Sequence, residues 1–349
     1  MVDWSLARQV ARFAAGADDP GAGDLDLCLP CEEMEAHVAG YTRLSLAAPV
    51  PQPEVVTRAD WTALNLDALS RLLDPVAGRL DARLAFAGPL AGALRAGAAA
   101  TLAAEAGLVM GYVSHRVLGQ YELSLLGGDT PPRLLFVAQN LRKAVREMEV
   151  DPEAFHRWIC AHELTHVFQF QGVPWLRDHL SGMIRAYLST VEVRIERGAA
   201  GGLPSLPSVA KLVEAWRDGG LAALVQTEEQ RALMDRMQAA MAVIEGYSEH
   251  VMDAIAPGAI PDHTRLRAAM EARRGSRSAP ERLIERLLGL NIKLLQYEIG
   301  KRFCDAVAGK AGIEGLNRVW ESPESLPTIV ELAHPTSWLV RTGQTTAAA

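Results

Sequence analysis

Read for the spacing of its apolar positions, the chain is mostly helical. Trp4 to Ala15 carries an apolar stripe at helical spacing behind Asp3, whose short carboxylate suits an N-cap. A stretch rich in Gly, Pro and Asp from Ala17 to Pro30 reads as a loop. Helical patterning covers Glu32 to Leu46, breaks at Pro49–Pro53, and returns from Asp60 to Leu73. Ala77 to Gly119 holds one or two long, alanine-rich helices, in which Gly107 and Gly111 would let a second helix approach closely. The period then changes from 3.6 to 2. Tyr121 to Leu126 alternates, Gly127 to Pro132 carries turn residues, and Arg133 to Ala138 is a compact apolar run, which together predict a β-hairpin. Beyond Asp151-Pro152, a cap followed by a first-turn proline, helices are predicted over Pro152–Phe170 and Trp175–Arg197, with a loop at Gly198–Pro207. A long helix follows from Thr227 to Ala256, capped by Thr227 with Glu229 and Gln230 in its first turn and ended by Pro257-Gly258. Arg265–Arg274, Pro280–Leu288 and Lys293–Ala308 continue the helical pattern, and Thr342–Ala349 reads as a disordered tail. The predicted fold class is mainly α with a small β-hairpin or sheet (α+β). It forms a single domain over 1–349, with a helical N-terminal part to residue 120 and a part with the sheet and site helices over 121–341.

Composition narrows the function classes. Hydrophobic residues make up 49% of the 349 positions, enough for one large core. A net charge of −7 leaves no basic footprint for nucleic acid. The first residues lack a basic segment followed by an apolar one, so a cytoplasmic protein is expected. Ala96 to Val113 is apolar but dominated by alanine and glycine and broken by Thr101 and Glu105. It reads as a buried central helix, and no membrane association is expected. Four cysteines (Cys28, Cys31, Cys160, Cys304) suit a reducing compartment. Cys28 and Cys31 have CxxC spacing but lack the second pair of a structural metal site, so they read as part of a turn. Oligomeric state is left open by the sequence.

The candidate chemistry lies in His162-Glu163-Leu164-Thr165-His166. Residues four apart on a helix differ by about 40° in projection, so both imidazoles point one way and supply two of the three protein ligands of a catalytic zinc. Glu163 can reach a metal-activated water without ligating the metal, the arrangement of a zinc hydrolase. A metzincin extension would need glycine three residues after His166 and histidine six after it. Gln169 and Gly172 stand there instead, which excludes that variant. The third ligand is expected from Glu245 or Glu249, which share one helical face. Glu245-Gly-Tyr-Ser resembles the Glu-Gly-Phe-Ala segment in which gluzincin aminopeptidases supply their zinc glutamate, and Gly246 would allow close packing against the motif helix. Glu245 is therefore preferred, with Glu249 next and His179 and His250 behind. The bulky apolar residues Phe155, Trp158, Ile159, Val167 and Phe168 predict a buried motif helix, where a charged Glu163 is costly unless compensated. The bland alternative is a satisfied core histidine facing two solvated glutamates.

The wider sequence resembles the zinicin-like metallopeptidase family of actinobacteria and Chloroflexi, whose members are often labelled deazaflavin coenzyme biosynthesis-associated. The resemblance runs through Val2-Asp3-Trp4, Val117–Tyr121, Leu135–Asn140 and His162–Val167. It continues through Glu245-Gly-Tyr247, Val251-Met-Asp253, Lys293, Gln296-Tyr297, Gly300, Phe303, Leu326-Pro-Thr328, Trp338-Leu339 and Arg341. It implies a mostly helical zincin-like fold and a zinc hydrolase. The coenzyme label names no reaction.

The resulting expectation is a zinc-dependent peptidase acting on a peptide or small amide. One Zn²⁺ per chain sits on His162, His166 and Glu245, and Glu163 is the general base. Tyr247 and Tyr297 are the expected oxyanion partners, with His250 and Arg302 as further candidates. Asp253 or Asp178 would orient the imidazoles. Substrate would add to Arg133–Ala138 as an edge strand. Two alternatives stand beside this reading: a zinc-binding scaffold without turnover, and a non-peptidase hydrolase of amide or ester bonds in a small metabolite.

Overall fold

The structure is a computed structural model that describes residues 2–17, 21–84, 91–122, 131–190, 227–275 and 291–344. The elements run α1 Trp4–Ala15, α2 Cys28–Thr42, β1 Pro53–Val56, α3 Arg58–Leu84, α4 Ala91–Ser114, β2 Gly119–Glu122 and β3 Arg133–Val137. They continue with α5 Ala138–Met148, α6 Pro152–Gly172, α7 Leu176–Thr190, α8 Glu228–Ala259, α9 His263–Gly275, α10 Asn291–Asn317, α11 Ile329–Ala333 and α12 Pro335–Arg341. The fold is mainly helical with one small sheet, as the hydrophobic period predicts. The expected loop at Gly198–Pro207, the helix at Pro280–Leu288 and the hairpin turn after Leu126 lie outside the described residues.

Several element ends follow from local chemistry. Asp3 accepts the Leu6 N–H and opens α1, while Asp151 accepts the Ala154 N–H and opens α6. Thr227 and Gln230 form a reciprocal capping box at the start of α8. Other ends differ from expectation. The Cys28-x-x-Cys31 segment is the first turn of α2, which ends at Thr42 instead of Leu46. Pro257 does not stop α8, because the Ile260 N–H still reaches the Ala256 carbonyl and closes a further turn. Helix α10 continues past Ala308 across a kink at Gly312, where φ is +70°.

The sheet has the order β1-β3-β2, with β3 parallel to β1 and antiparallel to β2. Arg133–Val137 is thus the central strand, and the expectation that it forms an open edge is corrected. Strand β1 arises from Pro53-Glu-Val-Val56, a segment overshadowed in the sequence by the preceding prolines. Its Glu54 grips Arg133 of β3 at 2.5 Å.

Helices α1, α3 and α4 form one layer. A Cβ at Gly107 would sit 2.6 Å from the Ala7 carbonyl, and one at Gly111 would collide with Ala14, so these glycines do bring α1 onto α4. Helix α4 is not a buried central helix, however, since Leu102 and Leu108 face solvent. By length and composition, Arg95–Ser114 could cross a membrane. The main core joins α2, α6, α8 and α10 to one face of the sheet. There Gly246 packs against Gly300 of α10, not against the motif helix, and a Cβ at Gly246 would lie 2.5 Å from the Gly300 carbonyl oxygen.

Candidate metal centre

Helix α6 is buried along most of its length and presents His162 and His166 on one side, with ring centroids 4.8 Å apart. Helix α8 brings Glu245 to meet them. The two Nε2 atoms lie 3.2 Å apart, and Glu245 Oε2 is 3.9 Å from His162 Nε2 and 3.7 Å from His166 Nε2. These three residues form the one His/Cys/Asp/Glu group among the described residues arranged to hold a metal ion.

The tautomers of both imidazoles follow from their other contacts. Gln169 Nε2 donates to the Ile244 carbonyl at 2.8 Å, which turns Gln169 Oε1 toward His166 Nδ1, also at 2.8 Å. His166 Nδ1–H therefore donates, and Nε2 carries the lone pair. At His162, Nδ1 lies 3.0 Å from Ser248 Oγ, whose own hydroxyl can donate to the His162 carbonyl at 3.4 Å. Its Nε2 is likewise left as an acceptor. Two lone pairs and a carboxylate oxygen thus converge, and Glu245 Oε2 is buried with no hydrogen-bond partner. Such a cluster is unfavourable unless a cation sits among it. Tetrahedral zinc with bonds of about 2.0–2.1 Å would set two ligand nitrogens about 3.3 Å apart, close to the separation found, and two imidazoles with one carboxylate suit that ion. The residues fit the metal that the motif implies.

Glu163 stands about 100° round the helix from His162, beside the two imidazoles, and reaches the sheet. Its Oε2 accepts the Tyr121 N–H of β2 at 3.0 Å. A Cβ at Gly119 would stand 2.7 Å from Glu163 Cγ, so only glycine there admits the side chain. Burial pushes the Glu163 carboxyl up to about 7; the His166 and Tyr121 interactions oppose the rise and the Glu245 charge adds to it.

The remaining candidates are placed elsewhere. Tyr247 projects about 200° round α8 from Glu245. It is fully buried against Trp320, and its hydroxyl donates to Asn317 Oδ1 at 2.8 Å, which corrects its expected role at the site. Tyr297 lies on α10, with its side chain outside the described residues. Glu249 is buried in α8 outside the cluster. His250 bonds Asp305 Oδ1 at 2.7 Å and Tyr41 at 2.8 Å. His179 stands edge-on to Trp175, and exposed Arg302 donates to the Glu298 carbonyl. Asp253 pairs with Arg267 and Lys301, and Asp178 is exposed, so neither carboxylate orients an imidazole. Gln169 and Ser248 do so instead. Both were legible as positions three residues along the helix from His166 and Glu245, on the same face.

The sequence matches the family described as zincin-like metallopeptidase over residues 2–339. A crystal structure from Chloroflexus aurantiacus, described as a candidate hydrolase with a novel fold, is 29% identical with a TM-score of 0.70. The match covers 99% of this chain and 100% of that one. No curated protein matches. The matched span takes in the sheet, the motif helix and Glu245 together, and the chain belongs to the zincin-like metallopeptidase family.

Proposed function

We propose that this protein is a zinc-dependent hydrolase of peptide bonds, with His162, His166 and Glu245 holding the metal and Glu163 moving the proton. The observation that carries the reading is the buried, unpartnered Glu245 Oε2 facing two imidazole nitrogens at 3.7–3.9 Å. Similarity to the Chloroflexus aurantiacus candidate hydrolase supports the reaction class. A bound metal supplies Lewis acidity and makes water nucleophilic near neutral pH. Glu163 is held by the Tyr121 N–H, and its carboxyl is raised to about 7. It can accept a proton from the attacking water and return it to the leaving nitrogen without a large energetic mismatch at either stage. Gln169 and Ser248 keep the imidazoles in the tautomer that ligation needs.

Substrate class has a second reading, which one observation favours. Helix α6 packs against β2, and the Tyr121 N–H of that strand is already bonded to Glu163. An extended peptide gains affinity by laddering onto an open edge, whereas a compact amide or ester does not need one.

The deciding measurement is metal content of the purified protein beside Glu245→Ala and Glu249→Ala variants. One zinc per chain in the wild type and Glu249→Ala, lost in Glu245→Ala, is the expected result. Full zinc in both variants would refute the ligand set. Hydrolysis of a substrate series from N-acyl amino acids to decapeptides then separates the two substrate classes. Glu163→Gln is the control, expected to keep its zinc and lose at least about 100-fold in turnover.

A further inference from the structure

Helices α2 and α6 meet over a pair of cysteines. Cys31 lies on α2 and Cys160 on α6, both in the main core, with their sulfur atoms 2.8 Å apart. Both side chains are shut off from solvent, at 4% and 0% exposure. The two are free thiols. A disulfide has a sulfur separation of about 2.05 Å, so roughly 0.8 Å of closure would join this pair. The pair is not part of a metal site: among the described residues, the one group arranged to hold an ion is His162, His166 and Glu245.

An enclosed dithiol is inert unless something reaches it, and Cys28 supplies the route. It is exposed and stands in the first turn of α2, three residues before Cys31. Residues three apart on a helix are neighbours, and CxxC is a spacing through which thiol–disulfide exchange runs. Pro30 between them is tolerated there, because the first turn leaves its backbone N–H groups without helical partners. The Asp26 carboxylate bonds the Cys28 thiol and pushes its pKa up, with burial and the neighbouring Cys31 adding to the shift. That slows Cys28 as a nucleophile without blocking it.

We propose that Cys31 and Cys160 form a reversible disulfide, made and broken through Cys28, that staples α2 to the motif helix. The oxidant is a small disulfide of the glutathione class. Cys28 attacks one of its sulfurs, forming a mixed disulfide and releasing one small thiol. Cys31 then attacks the Cys28 sulfur and expels the second small thiol. Cys160 attacks the Cys31 sulfur in turn, and Cys28 leaves as a thiol, taking up the proton that Cys160 gives up. The net change removes two electrons and two protons from Cys31 and Cys160 and reduces one small disulfide to two thiols. The cross-link joins positions 129 apart in sequence, a long loop whose closure restricts the unfolded chain strongly. No step uses the proposed zinc ligands, so the inference is independent of the hydrolase reading.

The test is equilibration of the native full chain with oxidised glutathione, followed by acid quench, alkylation and peptide mass mapping. The expected product carries a Cys31–Cys160 linkage and two free thiols, Cys28 and Cys304, in place of four. Its urea midpoint is higher than that of the reduced chain, and dithiothreitol restores all four thiols. Cys28 is exposed, so Cys28→Ser leaves the core untouched; it should reach the same linkage at least about 10-fold more slowly. Four thiols persisting in the wild type would overturn the disulfide, as would oxidation that stops at Cys28, whether linked to Cys31 or to glutathione. Equal rates in wild type and Cys28→Ser would overturn the route through Cys28.

Discussion

Ile244 gives its carbonyl to Gln169, and that one bond decides which end of the amide faces His166. An uncharged residue thereby fixes the tautomer of His166. Gln169→Leu is expected to lower zinc affinity about 10–100-fold, read by competition with a chromophoric chelator, while the fold stays intact. Gly119 acts by lacking a side chain. In Gly119→Ala the new methyl meets Glu163 Cγ, so the variant should lose about 1–3 kcal/mol of stability and most of its activity, measured by urea unfolding and turnover together. At this scale the sequence was legible where chemistry is carried by spacing. His162, His166 and Glu245 are all placed by helical periodicity and a short segment. It was less legible where residue type is the only signal. Tyr247 stands two residues from Glu245 in sequence, yet a 200° rotation puts it in the core. Behind the imidazoles, where the nearby Asp253 and Asp178 suggested carboxylates, an amide and a hydroxyl stand.

Helices α8 and α10 touch backbone to backbone, and Glu245 rides on that seam. A Cβ at Gly300 would run into the Ala242 carbonyl. Gly300→Ala should therefore destabilise by about 3 kcal/mol or more and release zinc at the same denaturant concentration at which the helices part. Near the C-terminal end, Glu331 caps α11 through Thr328 and bonds Arg341 of α12 at 2.6 Å. Burial opposes ionisation of Glu331, but the Arg341 guanidinium and the Thr328 donors outweigh it and hold the carboxyl below its ordinary 4.5. The folded chain thus takes up this proton at lower pH than the unfolded chain. The stabilisation is complete above 4.5 and disappears as pH falls through the folded value. Wild type and Glu331→Gln should differ by about 1–3 kcal/mol in urea unfolding at pH 7 and converge in acid; a gap that persists at pH 3 would contradict this. Elements with a local signal were readable: the caps at Asp3, Asp151 and Thr227, and the antiparallel β2–β3 pair. Strand β1 was not, because its partner lies about eighty residues away and parallel pairing leaves no hairpin to see. Without β1, β3 looked like an edge.

Across the whole molecule, the proposed metal ligands come from two helices that also carry the main core, so a metal bound there would share one free energy with folding. Zinc at 100 times its dissociation constant should stabilise the metal-stripped protein by about 2.7 kcal/mol in a denaturant titration, and Glu245→Ala should abolish the gain. No local motif reports this coupling; it comes from the packing of α6 and α8, which only the assembled fold displays. The grip of α6 on β2 has a pharmacological consequence. The Val137 N–H bonds the Leu118 carbonyl, so Gly119 and Tyr121 turn their main-chain groups outward, and there the Tyr121 N–H meets Glu163 instead of solvent. Hydroxamates attached to long peptidomimetic backbones draw much of their potency from pairing with such a rail. On this protein the backbone would add little, and small chelating fragments should inhibit nearly as well as their elongated counterparts.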